Sequence, residues 1–283
     1  MTQNDKSKIR AKVIKCVTRL FLILVAIIML YPLAWNVVSS FKTSTEFLTD
    51  PFAWPQGGAW DNYARAYEKS NLAANIGNSI YVVLETLVII VVCVVPCSYC
   101  LVRYKFPGAK LILNIYMAAI FIQATYIMIP LFMQLNKLHL LNSLTALGVL
   151  YATMQFPFAI FLLTGFLRSI PRDYEEAAMI DGCNPIQIFF KVVFPILKPT
   201  MISTAILETM WVWNAYLLPT LVLDIKKYRT IPMAIQYFRG GYGRVELAPM
   251  MACIIIAIIP IIILYMTCQK YIIEGVVAGA VKG

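Results

Sequence analysis

Two carboxylates stand where lipid is expected. Glu85 and Glu208 each lie inside an apolar run of about 20 residues, long enough to cross a bilayer. An ionised group at the centre of such a run costs at least about 2.5 kcal/mol if it faces hydrocarbon, so both groups must face protein or a water-filled path. Asn78 lies seven positions before Glu85 and hence on roughly the same helix face. Gln123, Gln155 and Asn214 add uncharged hydrogen-bonding groups, and Trp211 and Trp213 offer flat aromatic faces. This set has two uses: lining a path for a hydroxyl-rich solute, or hydrogen bonding helices to one another at about 0.6–2 kcal/mol per contact.

Other chemistries are poorly served. Cys97-Ser-Tyr-Cys100 has the spacing of a redox pair, with Cys93 one turn earlier, but it follows Pro96 at the end of an apolar run and lacks a βαβ context. His139 is the single histidine, which argues against a zinc site. No G-x-x-x-x-G-K-[ST] stretch is present, so ATP is not bound in that way. Nothing points to an enzyme or to a metal in this chain.

The elements that must position these groups are membrane spans. With 60% hydrophobic and 13% charged residues in 283, the chain is too apolar for an ordinary soluble domain. Six runs are long enough to span: Leu20–Val38, Ala74–Val95, Leu111–Phe132, Leu144–Leu167, Met201–Leu223 and Leu247–Thr267. They lack the alternation of a barrel, and backbone in lipid must satisfy itself, so each is a helix. The expected fold is an all-α, multi-pass membrane protein with six transmembrane helices. Gln123 and Pro130 interrupt the third span.

Net charge +10 follows topology and not nucleic acid. With both termini inside the cell, the inner segments hold Lys6, Lys8, Arg10, Lys12, Lys15 and Arg19; Arg103, Lys105 and Lys110; Arg168, Arg172, Lys191 and Lys198; Lys270 and Lys282. These are fifteen of the 24 Lys and Arg. The outer loop Asp224–Glu246 runs against the rule with five, and is also aromatic, with Tyr237, Phe238 and Tyr242. Either it forms an interfacial belt or it probes an external partner. The chain divides into a basic tail (1–19), a first span (20–38), an external segment (39–73) with a short amphipathic helix from Trp60, a five-helix core (74–271) and an extended, glycine-rich tail (272–283). The first apolar run is longer than a signal core and has no cleavage site after it, so it is an uncleaved anchor.

Between the fourth and fifth spans lies a polar island, Ser169–Pro199. Ser169 is placed to cap a helix, Pro171 sits in its first turn, and Asp173, Glu175 and Glu176 suit the positive end of the macrodipole. Gly182 is a left-handed stop. Asn184-Pro185 opens a second helix that passes Phe189 and Phe190 and runs out at Pro195. So much ordered backbone outside the bilayer is there for a partner to read.

Glu176-Ala177-Ala178, then Asp181-Gly182, followed by Phe189, Pro195 and Pro199, resembles the inner-loop signature of ABC-importer permease subunits. Taken with Phe156-Pro-Phe158, Gly165-Phe, Ile170-Pro171 and the closing Ala278-Gly-Ala-Val-Lys-Gly283, the chain from about Trp60 onward is most similar to the second permease of maltose-type sugar importers. The resemblance implies a cytoplasmic coupling helix, Pro171–Gly182, docked on an ATPase through Glu176, Ala177, Ala178, Asp181 and Gly182. It also implies a second permease as partner, two ATPase subunits that bind the ATP and Mg, an external solute-binding protein, and residence in the cell membrane. Cys183-Asn184 departs from the small residue and Ser or Thr common after the glycine, but Asn caps as well as Ser. Relatives often carry an acidic residue where Ala215 stands, so their solute contacts do not transfer. Three alternatives stay open: an ABC permease for a non-sugar solute, an ion-coupled secondary transporter using Glu85 and Glu208, and a membrane receptor that recruits a partner without moving solute.

Overall fold

A computed structural model of the chain describes residues 3–239 and 245–280, with side chains over 12–239 and 245–270. Every element among the described residues is helical. Among the described residues five helices are long and apolar enough to cross a membrane, or six if a bent pair counts as one span. Two compact units are present.

One unit holds the described residues up to Ser70 together with Phe238–Ile256. Helix α1 (Gln3–Ser40) continues through Pro32, and apolar side chains such as Phe21, Ile27 and Leu30 are exposed along it, as lipid contact requires. The segment after it is folded. Thr43 and Glu46 form a capping box on α2 (Ser44–Thr49). Buried Lys42 donates to the Pro51 carbonyl at 2.7 Å, and the Asn62 amide, on α3 (Asp61–Ser70), donates to the carbonyls of Ser40 and Lys42 at 2.8 Å. The short helix expected from Trp60 is therefore present, pinned by polar groups inside the protein.

The second unit holds Asn71–Tyr237 and the described residues from Ala257 onward. Helices α4 (Leu72–Arg103) and α7 (Leu144–Leu167) make its most extensive pairing. They approach closely at Gly148, where a Cβ would run into the Glu85 carboxylate. The fourth span lies where the hydropathy places it. The third does not form one rod: α5 (Ala109–Ala119) and α6 (Ala124–Lys137) meet at 103°. Gln123 stands at that break with an extended backbone, whereas Pro130 is accommodated inside α6.

The fifth span departs most from expectation. A short helix, α8 (Asp173–Ile180), and its closing turn precede it. A cap at Asn184 then opens α9 (Pro185–Ile188), with Gln187 completing the capping box and Pro185 at the first position. The helix does not end at Pro195. A π turn, Phe189–Val193, leads into α10 (Phe194–Asn214), so Pro185–Asn214 is one 30-residue column. A proline ring ordinarily collides with the carbonyl four residues back; for Pro195 that carbonyl lies within the widened turn, which eases the clash. The span thus ends at Asn214, with α11 (Leu217–Val222) and α12 (Ile231–Tyr237) following. Finally, α13 (Leu247–Ala280) continues where an extended tail was expected. Gly275 and Gly279 each oppose helix by only about 1 kcal/mol, too little to stop one already nucleated. Val281–Gly283 lie outside the described residues.

Candidate functional site

The island is built around α8. Its start is not capped by Ser169, whose hydroxyl donates back to the Phe166 carbonyl at 2.6 Å. Helix α8 begins one turn later than the serine suggests, and the amides of Glu175 and Glu176 bond the Arg172 carbonyl instead. The three acidic residues of the first turn are where the dipole favours them. At the other end Gly182 has φ +83°, its amide bonds the Met179 carbonyl, and the Cys183 amide bonds Ala178. That is a Schellman stop, which a residue with a Cβ strains.

An eight-residue helix is not stable alone, so α8 must be held. Ala178 is buried in a core shared with Val94, Val95 and Tyr99 of α4, Leu163 and Leu167 of α7, and Ile188, Phe189 and Val193. Beside it Glu175 is buried and paired with Arg103, the last residue of α4. The Tyr99 hydroxyl donates to the same carboxylate at 2.9 Å, and Arg103 also donates to the Ile170 carbonyl at 2.9 Å. Sequence reasoning misses this pair, because it counts Arg103 only as topology charge and Glu175 only as a dipole partner. The front of α8 faces away from the protein: Glu176, Ala177 and Asp181 are exposed, and Ile180 is 86% exposed. Of the two alanines, therefore, Ala177 is presented and Ala178 anchors.

The polar groups of the spans differ in their surroundings. Glu208 is 1% exposed and both carboxylate oxygens lack a hydrogen-bond partner among the described residues. Glu85 is half-buried, with Oε2 enclosed and unpartnered among the described residues. The Asn78 amide is used within the fold, donating to the Arg229 carbonyl at 2.9 Å, while the neighbouring Ser79 hydroxyl accepts from the Ile231 amide at 2.9 Å. Together they fasten the start of α12 to α4. Trp213 is 6% exposed and its indole donates to the Ala257 carbonyl at 3.3 Å, which makes it core and removes it as a stacking face. Trp211, two residues earlier, is 70% exposed. Asn214 and Gln123 are exposed and Gln155 is half-buried. The Asn214 amide turns back on the Met210 carbonyl at 2.7 Å.

The profile of the family described as "Binding-protein-dependent transport system inner membrane component" matches residues 15–277, nearly the whole chain. The chain belongs to that family. This permease is 32% identical over 267 residues to the diacetylchitobiose uptake system permease protein NgcG of Streptomyces coelicolor, covering 94% of this chain and 88% of that one. It is 34% identical to the probable starch degradation products transport system permease protein AmyC of Thermoanaerobacterium thermosulfurigenes, covering 92% and 94%. Among solved structures, a chain of a bacterial ABC transporter involved in the import of the acidic polysaccharide alginate superposes with a TM-score of 0.80 at 22% identity, covering 96% of this chain and 98% of that one. The likeness extends to the permease fold.

The candidates in the basic, aromatic loop before α13 separate as well. Tyr237, at the end of α12, is exposed and lies 4.3 Å from the Arg229 guanidinium, a cation–π contact. Phe238 is buried, so its ring is spent on packing and is not offered to a partner. Tyr242 lies outside the described residues.

Proposed function

We propose that this multi-pass permease is one half of a heterodimeric pore that imports a sugar or oligosaccharide. In this reading it pairs with a related permease and is driven by two cytoplasmic ATPase subunits that bind the ATP and Mg. A solute-binding protein outside the cell delivers the substrate. Both termini lie in the cytoplasm, in line with the distribution of Lys and Arg. The relatives named for diacetylchitobiose and for starch degradation products support a carbohydrate as cargo and weigh against an ion-coupled carrier or a receptor.

The observation that carries the mechanism is the two-sidedness of α8: its back is locked to α4 by Glu175 and Ala178, while Glu176, Ala177, Asp181 and the turn at Gly182 are free to meet the ATPase. ATP-driven closure of the ATPase pair moves this helix, and the lock passes the motion to the spans. The ATPase shifts the pore only by as much as it discriminates between its two states, so the coupling energy enters here. Glu85 and Glu208, with Gln155 and exposed Trp211, are the remaining candidates for the solute path. The permease, reconstituted in vesicles with its partners, takes up labelled oligosaccharide only with ATP and binding protein, and an Ala177→Cys variant cross-links to an ATPase subunit. Uptake without any ATPase, or an α8 that labels from the outer side, overturns the proposal.

A further inference from the structure

With both termini in the cytoplasm, the turn between α4 and α5 and the start of α8 lie at the inner membrane surface, and the lipid site inferred below the spans rests on that proposed orientation. A cavity of about 520 Å³ opens there, with Lys105, Lys110, Arg168 and Arg172 in its wall and no carboxylate. The volume is that of a small-ligand site. Among the described residues the side chains of Lys105, Lys110 and Arg168 have no hydrogen-bond or ion-pair partner, and that of Arg172 makes one 3.3 Å bond to the Arg103 carbonyl. Four like charges around one hollow repel each other, and nothing among the lining residues offsets that repulsion. The rest of the wall is apolar, Leu101 and Val102 from the last turn of α4 and Leu113 from α5, with Tyr104 and Phe106 between them.

We infer that this cavity holds the headgroup of an anionic phospholipid. The cations fit a phosphodiester at one end, and the aliphatic wall fits the glycerol and upper acyl chain at the other. A free phosphate would satisfy the cations and leave the apolar half unused. Because Arg172 leads into α8, and Lys105 and Lys110 flank the turn after α4, a bound headgroup bridges the two ends of the lock between α4 and α8.

The test uses the assembled transporter in phosphatidylcholine vesicles with and without phosphatidylglycerol. Retention of each spin-labelled lipid at the protein is measured by electron paramagnetic resonance. The native complex is expected to retain phosphatidylglycerol over phosphatidylcholine by about tenfold, as clustered basic residues at a membrane surface do. The Lys105→Gln/Lys110→Gln/Arg168→Gln variant loses that preference, while Lys105→Arg/Lys110→Arg keeps it, which separates loss of charge from misfolding. An unchanged preference in the Gln variant overturns the site. So does displacement of the lipid by inorganic phosphate, which would assign the cavity to a free anion, and so does absence of any preference in the native complex, which would mean that a partner subunit fills the cavity. ATP-driven uptake is read on the same vesicles: uptake failing while the lipid preference stands counts against the transport reading alone.

Discussion

Cutting the tie between Arg103 and Glu175 should release α8 without unfolding the spans. Both side chains are only 8% exposed, and removing one partner of such a pair leaves an uncompensated charge, at about 3–5 kcal/mol. That exceeds what an eight-residue helix supplies for itself, because an isolated helix of that length is marginal even in a favourable sequence. The amides of Glu176–Asp181 should therefore exchange with deuterium about 10²- to 4 × 10³-fold faster in Arg103→Met or Glu175→Gln, at roughly tenfold per 1.4 kcal/mol. Amides in the middle of α7 should not change. The Arg103→Met/Glu175→Gln double variant should recover most of the loss, since no charge is then left stranded. In the transporter each single variant should hydrolyse ATP with little uptake. Two single effects that simply add, or rapid exchange spreading equally into α7, would refute the idea that this pair fixes the loop to the span.

Gly182→Val forces a branched side chain into φ +83°, a strain of at least about 1 kcal/mol; ATPase activity should continue while uptake falls, and normal uptake would speak against the loop as the point of coupling. The two alanines should part company: Ala178→Leu overpacks a buried site, lowers the melting midpoint and costs about 1–3 kcal/mol, whereas Ala177→Leu leaves the free permease as stable as before and weakens its co-purification with the ATPase. Trp213→Ala should cost about 3–5 kcal/mol as a buried aromatic deletion, read by thermal unfolding, while Trp211→Ala leaves stability unchanged. Gly148→Val places side-chain atoms where the Glu85 carboxylate lies, so labelling of a carboxyl-reactive probe at Glu85 should rise.

Signals in the sequence are legible where their cause is local. Asn184-Pro185 and Gly182 act within four residues of themselves, and the fourth span needs only its hydropathy. Ser169 misleads because a serine at a helix end can bond backward or forward, and only the packing of Ile170 against α4 and α7 decides which. Pro195 misleads because a proline ends a helix only when the backbone cannot widen around it. The bend before α6 carries no glycine or proline at the break; Gln123 marks the place, but nothing in Ile120–Gln123 announces an angle of 103°. The lock itself joins residues 72 positions apart, Arg103 and Glu175, a distance over which periodicity says nothing. Composition places polar residues at membrane depth but not which way they turn, so Trp211 and Trp213 look alike.

The widened turn at Phe189–Val193 has a mechanical meaning for the column that contains it. Thirty residues at 1.5 Å each make a strut of roughly 45 Å, long enough to carry a push from end to end. One surplus residue in the winding, however, rotates everything beyond it by about 100° relative to an unbroken helix. Drawing that surplus back into regular winding would turn Glu208 about the strut's axis while barely changing its length. A displacement at the foot of the column that removed the surplus would therefore reach Glu208 as a change of facing more than as a shift along the axis.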